Sequence, residues 1–291
     1  MAKTKVRIGI IGGSGLYHMK GISETEELRV DTPFGPPSDA LMLGTVAGVR
    51  CAFLPRHGRG HTILPSEING RANIWALKSL GVETVVAFGA VGSLREELAP
   101  GHFVVPDQIV DKTTLRRSTF FGHGVVGHVA FADPFCGGVA KVLSAAAKAL
   151  DIPVHPKGTL ACMEGPAFST RAESEVNRKL GCDLIGMTVV PEAKLAREAE
   201  LCYALVAMVT DYDCWKAGEE VGVEKVMAVM KANSENAQRL LSRALPELAK
   251  LPSGACACSR ALEHAIMTDP AAMPKETAEQ LALIIGKRIR R

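Results

Sequence analysis

The stretch Val85-Val86-Ala87-Phe88-Gly89-Ala90-Val91-Gly92-Ser93 decides the fold class, because an apolar run passes directly into a glycine-rich elbow. A short apolar run that ends at turn residues is typical of a buried strand. The same order recurs at four further places: Ile8–Ile11 into Gly12-Gly13-Ser14-Gly15, Cys51–Pro55 into Arg56-His57-Gly58, Asp183–Gly186 into Met187-Thr188, and Tyr203–Val209 into Thr210-Asp211-Tyr212-Asp213.

Helices are predicted between these strands, so an α/β fold is expected. A helix capped by Ser66 should run through Leu77 and stop at Gly81, directly before the strand that contains Val85. Four more helices are predicted at Val139–Leu150, Arg171–Leu180, from Pro191 onward, and Ala228–Leu245. Because ligands of open α/β sheets bind beyond the carboxyl ends of the strands, the elbows together predict one binding site.

Length and composition favour one large domain. The chain has 291 residues and is 47% apolar, which is enough for a single large core. A composition shift at Pro252-Ser253-Gly254 predicts a main domain at residues 1–252 and a C-terminal tail at residues 253–291, with a short helix from Lys275 onward.

Charge and hydropathy exclude several classes of partner. The formal net charge of +3 is too small to indicate nucleic acid, and the basic cluster at Gly286–Arg291 is expected to be a solvated helix end. The first apolar run breaks at Gly12-Gly13, so no signal peptide is predicted, and no run reaches transmembrane length. A cytoplasmic protein without a membrane partner is therefore expected.

Cysteine spacing predicts free thiols. Six of the eight cysteines lie singly within apolar segments, where buried free thiols are the usual state. The exception is Cys256-Ala257-Cys258, whose spacing is too close for an unstrained bridge. Because no second pair or histidine cluster lies nearby, the sequence favours two free thiols on a loop over a strained bridge, and it predicts no zinc.

Two of the elbows have the residues of an anion site. The segment Gly12-Gly13-Ser14-Gly15 lacks the G-x-G-x-x-G spacing of a dinucleotide site, but its N–H groups and the Ser14 hydroxyl can bind an anion. Arg56 and His57 follow another strand and add cationic donors. Metal binding by His57 and His61 is disfavoured, because they lie in a glycine-broken loop without a carboxylate.

The last elbow places two carboxylates at the exit of an apolar strand. Asp211 and Asp213 would repel each other if both were ionised, so one is expected to take up a proton. Such a pair can donate to a ring nitrogen and accept from an amino group. A solvated acidic turn remains the alternative.

These elbows, with further segments, resemble the 5′-methylthioadenosine phosphorylases over about residues 6–245. The shared motifs keep their order and spacing, which makes the resemblance specific. They are Gly12-Gly13-Ser14-Gly15-Leu16, Asp31-Thr32-Pro33-Phe34-Gly35, Arg56-His57-Gly58, Ala72-Asn73-Ile74-Trp75-Ala76-Leu77, Gly92-Ser93-Leu94-Arg95, Glu164-Gly165-Pro166, Phe168-Ser169-Thr170-Arg171-Ala172-Glu173, Met187-Thr188, Pro191-Glu192 and Ala207–Asp213.

The resemblance implies a nucleoside phosphorylase fold, in which a mixed, distorted β-sheet is flanked by α-helices, in a homotrimer or a dimer of trimers. It implies reversible phosphorolysis of 5′-methylthioadenosine to adenine and 5-methylthioribose 1-phosphate, a step of purine and methionine salvage. Inorganic phosphate is the co-substrate, and neither a metal nor an organic cofactor is expected.

The same resemblance implies a role for each matching residue. Phosphate would be bound by Ser14, Arg56, His57, Ala90 and Thr188. Met187 would contact the ribose and Phe168 the purine, while Asp211 and Asp213 would contact N7 and the 6-amino group and act in catalysis. The 5′-thiomethyl pocket would be lined by His128, Val223 and Val226, with His128 presented to a neighbouring subunit.

Two departures and two alternative functions qualify this interpretation. Gly89 and Gly186 stand where some relatives have threonine and asparagine. One alternative is a purine nucleoside or methylthioinosine phosphorylase, but 6-oxopurine enzymes use a Glu plus Asn arrangement where this chain has Ser169 and Asp211. The other is a non-catalytic adenine-nucleoside binding protein, for which a phosphate site beside the sugar would have no use.

Overall fold

The computed structural model describes residues 6–13, 16, 19, 21–218 and 222–289. Its strands are β1 (Ile8–Gly12), β2 (Ser23–Leu28), β3 (Leu41–Val46), β4 (Val49–Pro55), β5 (Thr84–Ser93), β6 (Phe103–Val104), β7 (Gln108–Asp111), β8 (Val154–His155), β9 (Thr159–Cys162), β10 (Leu184–Gly186) and β11 (Cys202–Asp211). Its α-helices are α1 (Gly70–Ser79), α2 (Gly137–Lys148), α3 (Arg171–Lys179), α4 (Val189–Glu198), α5 (Val223–Ala249), α6 (Lys275–Gln280) and α7 (Ala282–Ile289).

Strand β5 is the centre of a mixed sheet. It pairs in parallel with β1 and with β11, and its end pairs antiparallel with β10 through Gly92 and Ser93. The main path of the sheet is β2-β3-β4-β1-β5-β10-β9-β7, and β11 leads through β6 to β8. The predicted mixed, distorted sheet is thereby confirmed.

The central strands are buried on both faces by two helical layers. Val85 and Ala87 of β5 pack in a core with residues of α1, α4 and α7. Val86 and Phe88 point to the opposite face and pack with residues of α2 and α5. Successive side chains of a strand alternate between faces, so a strand covered on both sides is apolar at every position.

Several predicted boundaries are wrong. Ser66 does not cap α1; the helix begins at Gly70, and the Asn69 side chain accepts the Ala72 N–H at 3.2 Å. The predicted elbow Gly89–Ser93 belongs to β5, because its backbone continues to pair with β11 and β10. Helix α5 starts at Val223 instead of Ala228.

The segment after residue 252 packs on the rest of the chain. Leu262, Leu281 and Ile285 are buried in the same core as Leu77 of α1. Arg288 is not the solvated residue expected from the sequence, because its guanidinium binds Glu200 Oε1 at 2.6 Å. No helix among the described residues is long and apolar enough to cross a membrane.

Candidate active site

A cavity of about 720 Å³ opens where β1, β4, β5, β10 and β11 end, and the first half of α5 forms its far wall. The structure brings nine of the predicted site residues to its lining. They are Arg56, His57, Ala90, Phe168, Met187, Thr188, Asp211, Asp213 and Val226. Ser14 lies outside the described residues.

Strand register separates a basic end of the cavity from an acidic end. Gly12 of β1 pairs with Pro55 of β4, so Gly13 and Arg56, which directly follow these strands, lie at the same edge of the sheet. On β11, Ala207 pairs with Gly89 and Asp211 pairs with Gly92. At about 3.3 Å per residue, Asp211 therefore lies about 10 Å further along β5 than Gly89.

Arg56 is fixed in the floor of the basic end. Glu192 accepts its Nε–H at 2.5 Å and its Nη2–H at 3.0 Å, and the Phe88 carbonyl accepts from Nη1 at 2.6 Å. Burial alone would lower the pKa of Arg56, but the Glu192 charge and hydrogen bonds raise it. These contacts use three of the five guanidinium donors, so two can turn to an anionic ligand.

Glu192 connects Arg56 to the core, because it also accepts the Tyr203 hydroxyl at 2.9 Å. All three side chains are buried. Burial raises the pKa of Tyr203, so the phenol remains a neutral donor. A buried ion pair with these additional hydrogen bonds fixes the guanidinium in one orientation.

His57 is a neutral imidazole at the same end. Its Nδ1 lies 2.8 Å from the Ile63 carbonyl, and its ring stacks on His61 with a centroid separation of 4.2 Å. Burial, with a smaller contribution from the Arg56 charge, lowers the pKa of His57 to about 4, against the opposing effect of the hydrogen bond with Ile63. Because Nδ1–H donates to Ile63, Nε2 is the nitrogen that remains for a ligand.

Thr188 and Gly89 adjoin at the basic end. Thr188 directly precedes α4, and its hydroxyl makes no capping bond with that helix. A Cβ added at Gly89 would lie 3.3 Å from Thr188 Oγ1, so glycine leaves room for this hydroxyl. Gly89 is the position where some relatives have a threonine, and in this chain the Thr188 hydroxyl lies next to it.

Asp211 is held rigidly at the acidic end. The Asp213 N–H donates to Oδ1 at 2.8 Å, and the Thr210 hydroxyl lies 2.7 Å from Oδ2. A Cβ at Gly92 would lie 2.9 Å from Oδ1, so the carboxyl packs directly on the backbone of β5. Burial raises the pKa of Asp211, and the Asp213 charge adds to the rise, against the effect of both hydrogen bonds.

Asp213 is more deeply buried, at 3% exposure, and burial raises its pKa. Its Oδ2 has no hydrogen-bond partner among the described residues. Its φ is +50°, in the left-handed region that costs free energy for a non-glycine residue. An unpartnered acceptor in a strained backbone at a cavity is suited to a ligand donor such as an amino group.

Arg116 supports the cavity wall and was missed by sequence reasoning. The side chain, 2% exposed, binds Glu164 Oε1 at 2.7 Å and donates to the Met187 and Val190 carbonyls. It also donates to the Glu164 carbonyl at 2.7 Å. One buried guanidinium thus joins the segments after β9 and β10, a long-range contact without a local sequence signal.

Helix α5 supplies a wall that the predicted start at Ala228 had omitted in part. Its cavity-facing residues recur at helical spacing, and the full set is Val226, Met227, Met230, Lys231, Ser234, Glu235, Ala237 and Gln238. Met163, Met187 and Met208 line the cavity as well. Thioether side chains adapt to irregular apolar ligands, so the part of the cavity lined by these methionines suits an apolar substituent of a ligand.

His128 and Val223 do not reach the cavity of their own chain. Val223 is 69% exposed at the first turn of α5, and Val226, one turn later, lines the cavity instead. His128 is exposed, and its backbone N–H donates to the Ala265 carbonyl at 2.8 Å. Val223 therefore does not line the cavity of its own chain, and the predicted role of His128 in a neighbouring subunit stays a prediction.

Comparison with known proteins finds phosphorylases that are similar to this chain over nearly its whole length. Residues 7–246 match the family model described as the phosphorylase superfamily. An S-methyl-5′-thioadenosine phosphorylase from Geobacter sulfurreducens is 52% identical over 281 residues, which cover 96% of this chain and 98% of that protein. One from Koribacter versatilis is 54% identical over 284 residues and covers 97% of each chain.

Solved structures are similar as well. A methylthioadenosine phosphorylase sourced from an antarctic soil metagenomic library superposes with a TM-score of 0.92 at 46% identity, covering 97% of this chain and 99% of that one. A methylthioadenosine phosphorylase from Schistosoma mansoni in complex with adenine gives a TM-score of 0.82 at 37% identity, with coverage of 97% and 98%.

Proposed function

Because this chain belongs to the phosphorylase superfamily, we infer that it catalyses the phosphorolysis of S-methyl-5′-thioadenosine to adenine and 5-methylthioribose 1-phosphate. The central observation is one cavity that has Arg56 at its basic end and Asp211 and Asp213 at its acidic end. Asp211 pairs with Gly92, which lies about 10 Å along β5 from Gly89 at the basic end. An anionic nucleophile and a protonated leaving base can then occupy opposite ends of a bound nucleoside. The reaction serves purine and methionine salvage.

At the basic end, Arg56 binds and orients inorganic phosphate. Its remaining donors, the Thr188 hydroxyl and the backbone at Ala90 meet the phosphate oxygens. The predicted role of Ser14 in phosphate binding belongs to the same proposal, although Ser14 lies outside the described residues. His57 Nε2 accepts a hydrogen bond from a protonated phosphate oxygen. Phosphate is itself the nucleophile that attacks the anomeric carbon, so the proposed reaction uses neither a metal nor an organic cofactor.

At the acidic end, Asp211 protonates the leaving purine. Burial raises the pKa of this carboxyl, which favours the protonated form that would donate to N7 while the glycosidic bond breaks. Asp213 Oδ2 accepts from the 6-amino group, since this oxygen has no protein partner in the described part of the chain. Phe168, 49% exposed at the cavity, packs on the purine, and Met187 contacts the ribose.

Substrate choice follows from these two ends and from α5. A carboxylate acceptor at Asp213 favours a 6-amino group over a 6-oxo group, since two acceptors would face each other in the second case. Val226 and Met230 on α5 face the cavity with apolar atoms and would surround a 5′-thiomethyl group. A 5′-hydroxyl there would lose its hydrogen bonds to water.

We further propose that the protein acts in the cytoplasm as a homotrimer or a dimer of trimers, with His128 reaching the site of a neighbouring subunit. His128 is exposed and lies off the cavity of its own chain, and Leu115 and Val126 expose apolar side chains nearby in sequence at 76% and 48%. Analytical ultracentrifugation gives the assembly. Activity in mixtures of His128→Ala and Asp211→Asn chains, each weakly active alone, tests whether His128 acts in trans.

The function is tested with purified protein and two nucleosides. Methylthioadenosine and methylthioinosine are each incubated with and without phosphate, and the free bases are separated by chromatography. The proposed function predicts rapid adenine release in phosphate and much slower hypoxanthine release. A preference for methylthioinosine would identify a 6-oxopurine enzyme, and binding without release would identify a non-catalytic binding protein.

A further inference from the structure

Four cysteines from distant parts of the chain meet in one cluster. Cys136 precedes the first turn of α2, Cys202 begins β11, and Cys256 and Cys258 lie in the C-terminal segment. Their four sulfur atoms all lie within 4.8 Å of one another. None of the four lines the catalytic cavity, so the cluster is separate from the proposed reaction.

The sulfur separations fit a single tetrahedral metal ion. Zinc–sulfur bonds of ~2.3 Å in a tetrahedron place the sulfur atoms ~3.8 Å apart. Here Cys256 Sγ lies 3.6 Å from Cys136 Sγ and 3.4 Å from Cys258 Sγ. In an iron–sulfur cluster the four thiolates are divided among two or more iron atoms, which places some of the sulfur atoms further apart than the 4.8 Å found here.

The environment is that of a closed, structural site. Cys136 and Cys258 are buried at 3% and 6% exposure, and Cys202 and Cys256 are half-buried. Cys136 occupies the N-cap position of α2, where the positive end of the helix dipole offsets the negative charge of four thiolates. Four cysteine ligands leave no open position for a reacting molecule.

We propose that Cys136, Cys202, Cys256 and Cys258 together bind one Zn²⁺ ion as a structural site. Binding converts the four thiols to thiolates and releases their protons to solvent. The sequence predicts two free thiols at Cys256 and Cys258 because no second cysteine pair lies nearby in the chain. In the folded chain, Cys136 and Cys202 provide the two further ligands.

The ion fastens the C-terminal segment to the main body of the chain. Beyond Cys258, the Ala265 carbonyl accepts the His128 N–H at 2.8 Å, and the Met267 N–H donates to the Val126 carbonyl at 2.9 Å. The segment that follows the metal site therefore also holds the loop of His128. Loss of zinc should loosen this loop and lower the temperature of unfolding.

The proposal is tested by the metal content of the full-length protein purified from zinc-supplemented cells. Mass spectrometry of the metals should find about one zinc per chain in the natural protein. The double variant Cys256→Ser/Cys258→Ser should contain almost none. Cys182→Ala, which removes a buried cysteine from another part of the core, is the matched control and should retain the full amount.

Two measurements on the natural protein keep the proposal testable if the double variant fails to fold. Replacing zinc by Co²⁺ should produce the visible absorption of a tetrahedral cobalt thiolate, and all eight cysteines should react with a thiol reagent after chelation in denaturant without reductant. A protein that binds neither zinc nor cobalt, or that shows fewer than eight thiols because the cluster forms disulfides, would overturn the proposal.

Discussion

At the scale of single residues, Asp211 and Asp213 face one cavity with different surroundings. Asp211 is bound by the Thr210 hydroxyl and the Asp213 N–H, whereas Asp213 Oδ2 has no partner among the described residues. Both have a pKa raised by burial. The hydrogen bonds orient Asp211 as a proton donor, and the free oxygen of Asp213 is suited to recognition.

Replacing Asp211 with asparagine should lower kcat for methylthioadenosine by roughly 10²–10⁴-fold, because an amide cannot donate a proton to the leaving base at neutral pH. The side-chain volume is nearly the same, so folding should be preserved. KM should change less than kcat, since phosphate and sugar contacts remain. Steady-state kinetics and a thermal melt measure both effects.

Asp213→Asn is the companion variant for this prediction. It should mainly impair recognition of the 6-amino group and raise KM, because an amide can present a donor to that group. If Asp211→Asn releases adenine at a near-normal rate while Asp213→Asn is inactive, the two roles are exchanged. If neither variant is affected, the acidic turn is structural.

Replacing Glu192 with glutamine should destabilise the fold by about 3–5 kcal/mol, because it leaves the buried Arg56 cation without its counter-charge. The KM for phosphate should also rise as the guanidinium loses its fixed orientation. Tyr203→Phe removes one hydrogen-bond donor to the same carboxylate but leaves the ion pair intact, so it should cost less, about 1.5–3 kcal/mol. Urea unfolding compares them, and equal losses in the two variants would contradict this account of the network.

At the scale of elements, the buried carboxyl of Glu198 joins α4 to the loop that contains Thr119 and Phe120. Glu198 accepts the Phe120 N–H at 2.6 Å and the Thr119 hydroxyl at 2.7 Å. Burial raises its pKa from 4.5 to about 7. Between these two pH values the folded state holds a proton that the unfolded state releases, so stability falls as the pH rises through this range.

Glu198→Gln should remove this part of the pH dependence, because glutamine does not titrate. The free energy of unfolding of the natural protein should fall by up to about 3 kcal/mol relative to the variant between pH 4.5 and pH 8. Urea unfolding at several pH values measures the difference. Glu247→Gln, at an exposed site on α5, is the control, and an identical pH profile for Glu198→Gln and the natural protein would disprove the effect.

Helix α5 offers a matched pair for the 5′ pocket. Val226 lines the cavity and Val223, one turn earlier, is exposed. Val226→His should raise the kcat/KM of adenosine relative to methylthioadenosine by roughly 10-fold, because the imidazole can pair with the 5′-hydroxyl. Val223→His should leave this ratio unchanged, because Val223 does not line the cavity of its own chain. If Val223→His changes the ratio and Val226→His does not, Val223 contacts the substrate, for example in the site of a neighbouring subunit.

At the scale of the whole molecule, the pairing of the strands brings motifs that are distant in sequence into one site. Arg56, Ala90 and Asp211 meet because β4 and β5 flank β1, and β11 pairs along β5. The apolar runs of these strands and the residues at their ends are local features. The α/β class and nine of the cavity-lining residues were therefore predictable from sequence.

The parts that sequence reasoning missed depend on long-range contacts. Gly89–Gly92 was assigned to a turn on its glycines, but β11 keeps this stretch in the sheet. Arg116 joins two loops, and the cysteine cluster joins three segments, without any local pattern. The start of α5 at Val223 is hard to predict because its N-cap position is Gly222, which has no side chain to cap the helix.

In the proposed reaction, phosphate at the basic end attacks the sugar while the acidic end protonates the leaving base. The most direct measurement follows the products of methylthioadenosine by phosphorus NMR, with adenine quantified in the same sample. We expect one sugar 1-phosphate ester for each adenine released, and no release when phosphate is omitted. Adenine release at full rate without phosphate, with free 5-methylthioribose as the product, would show a hydrolase and contradict the account.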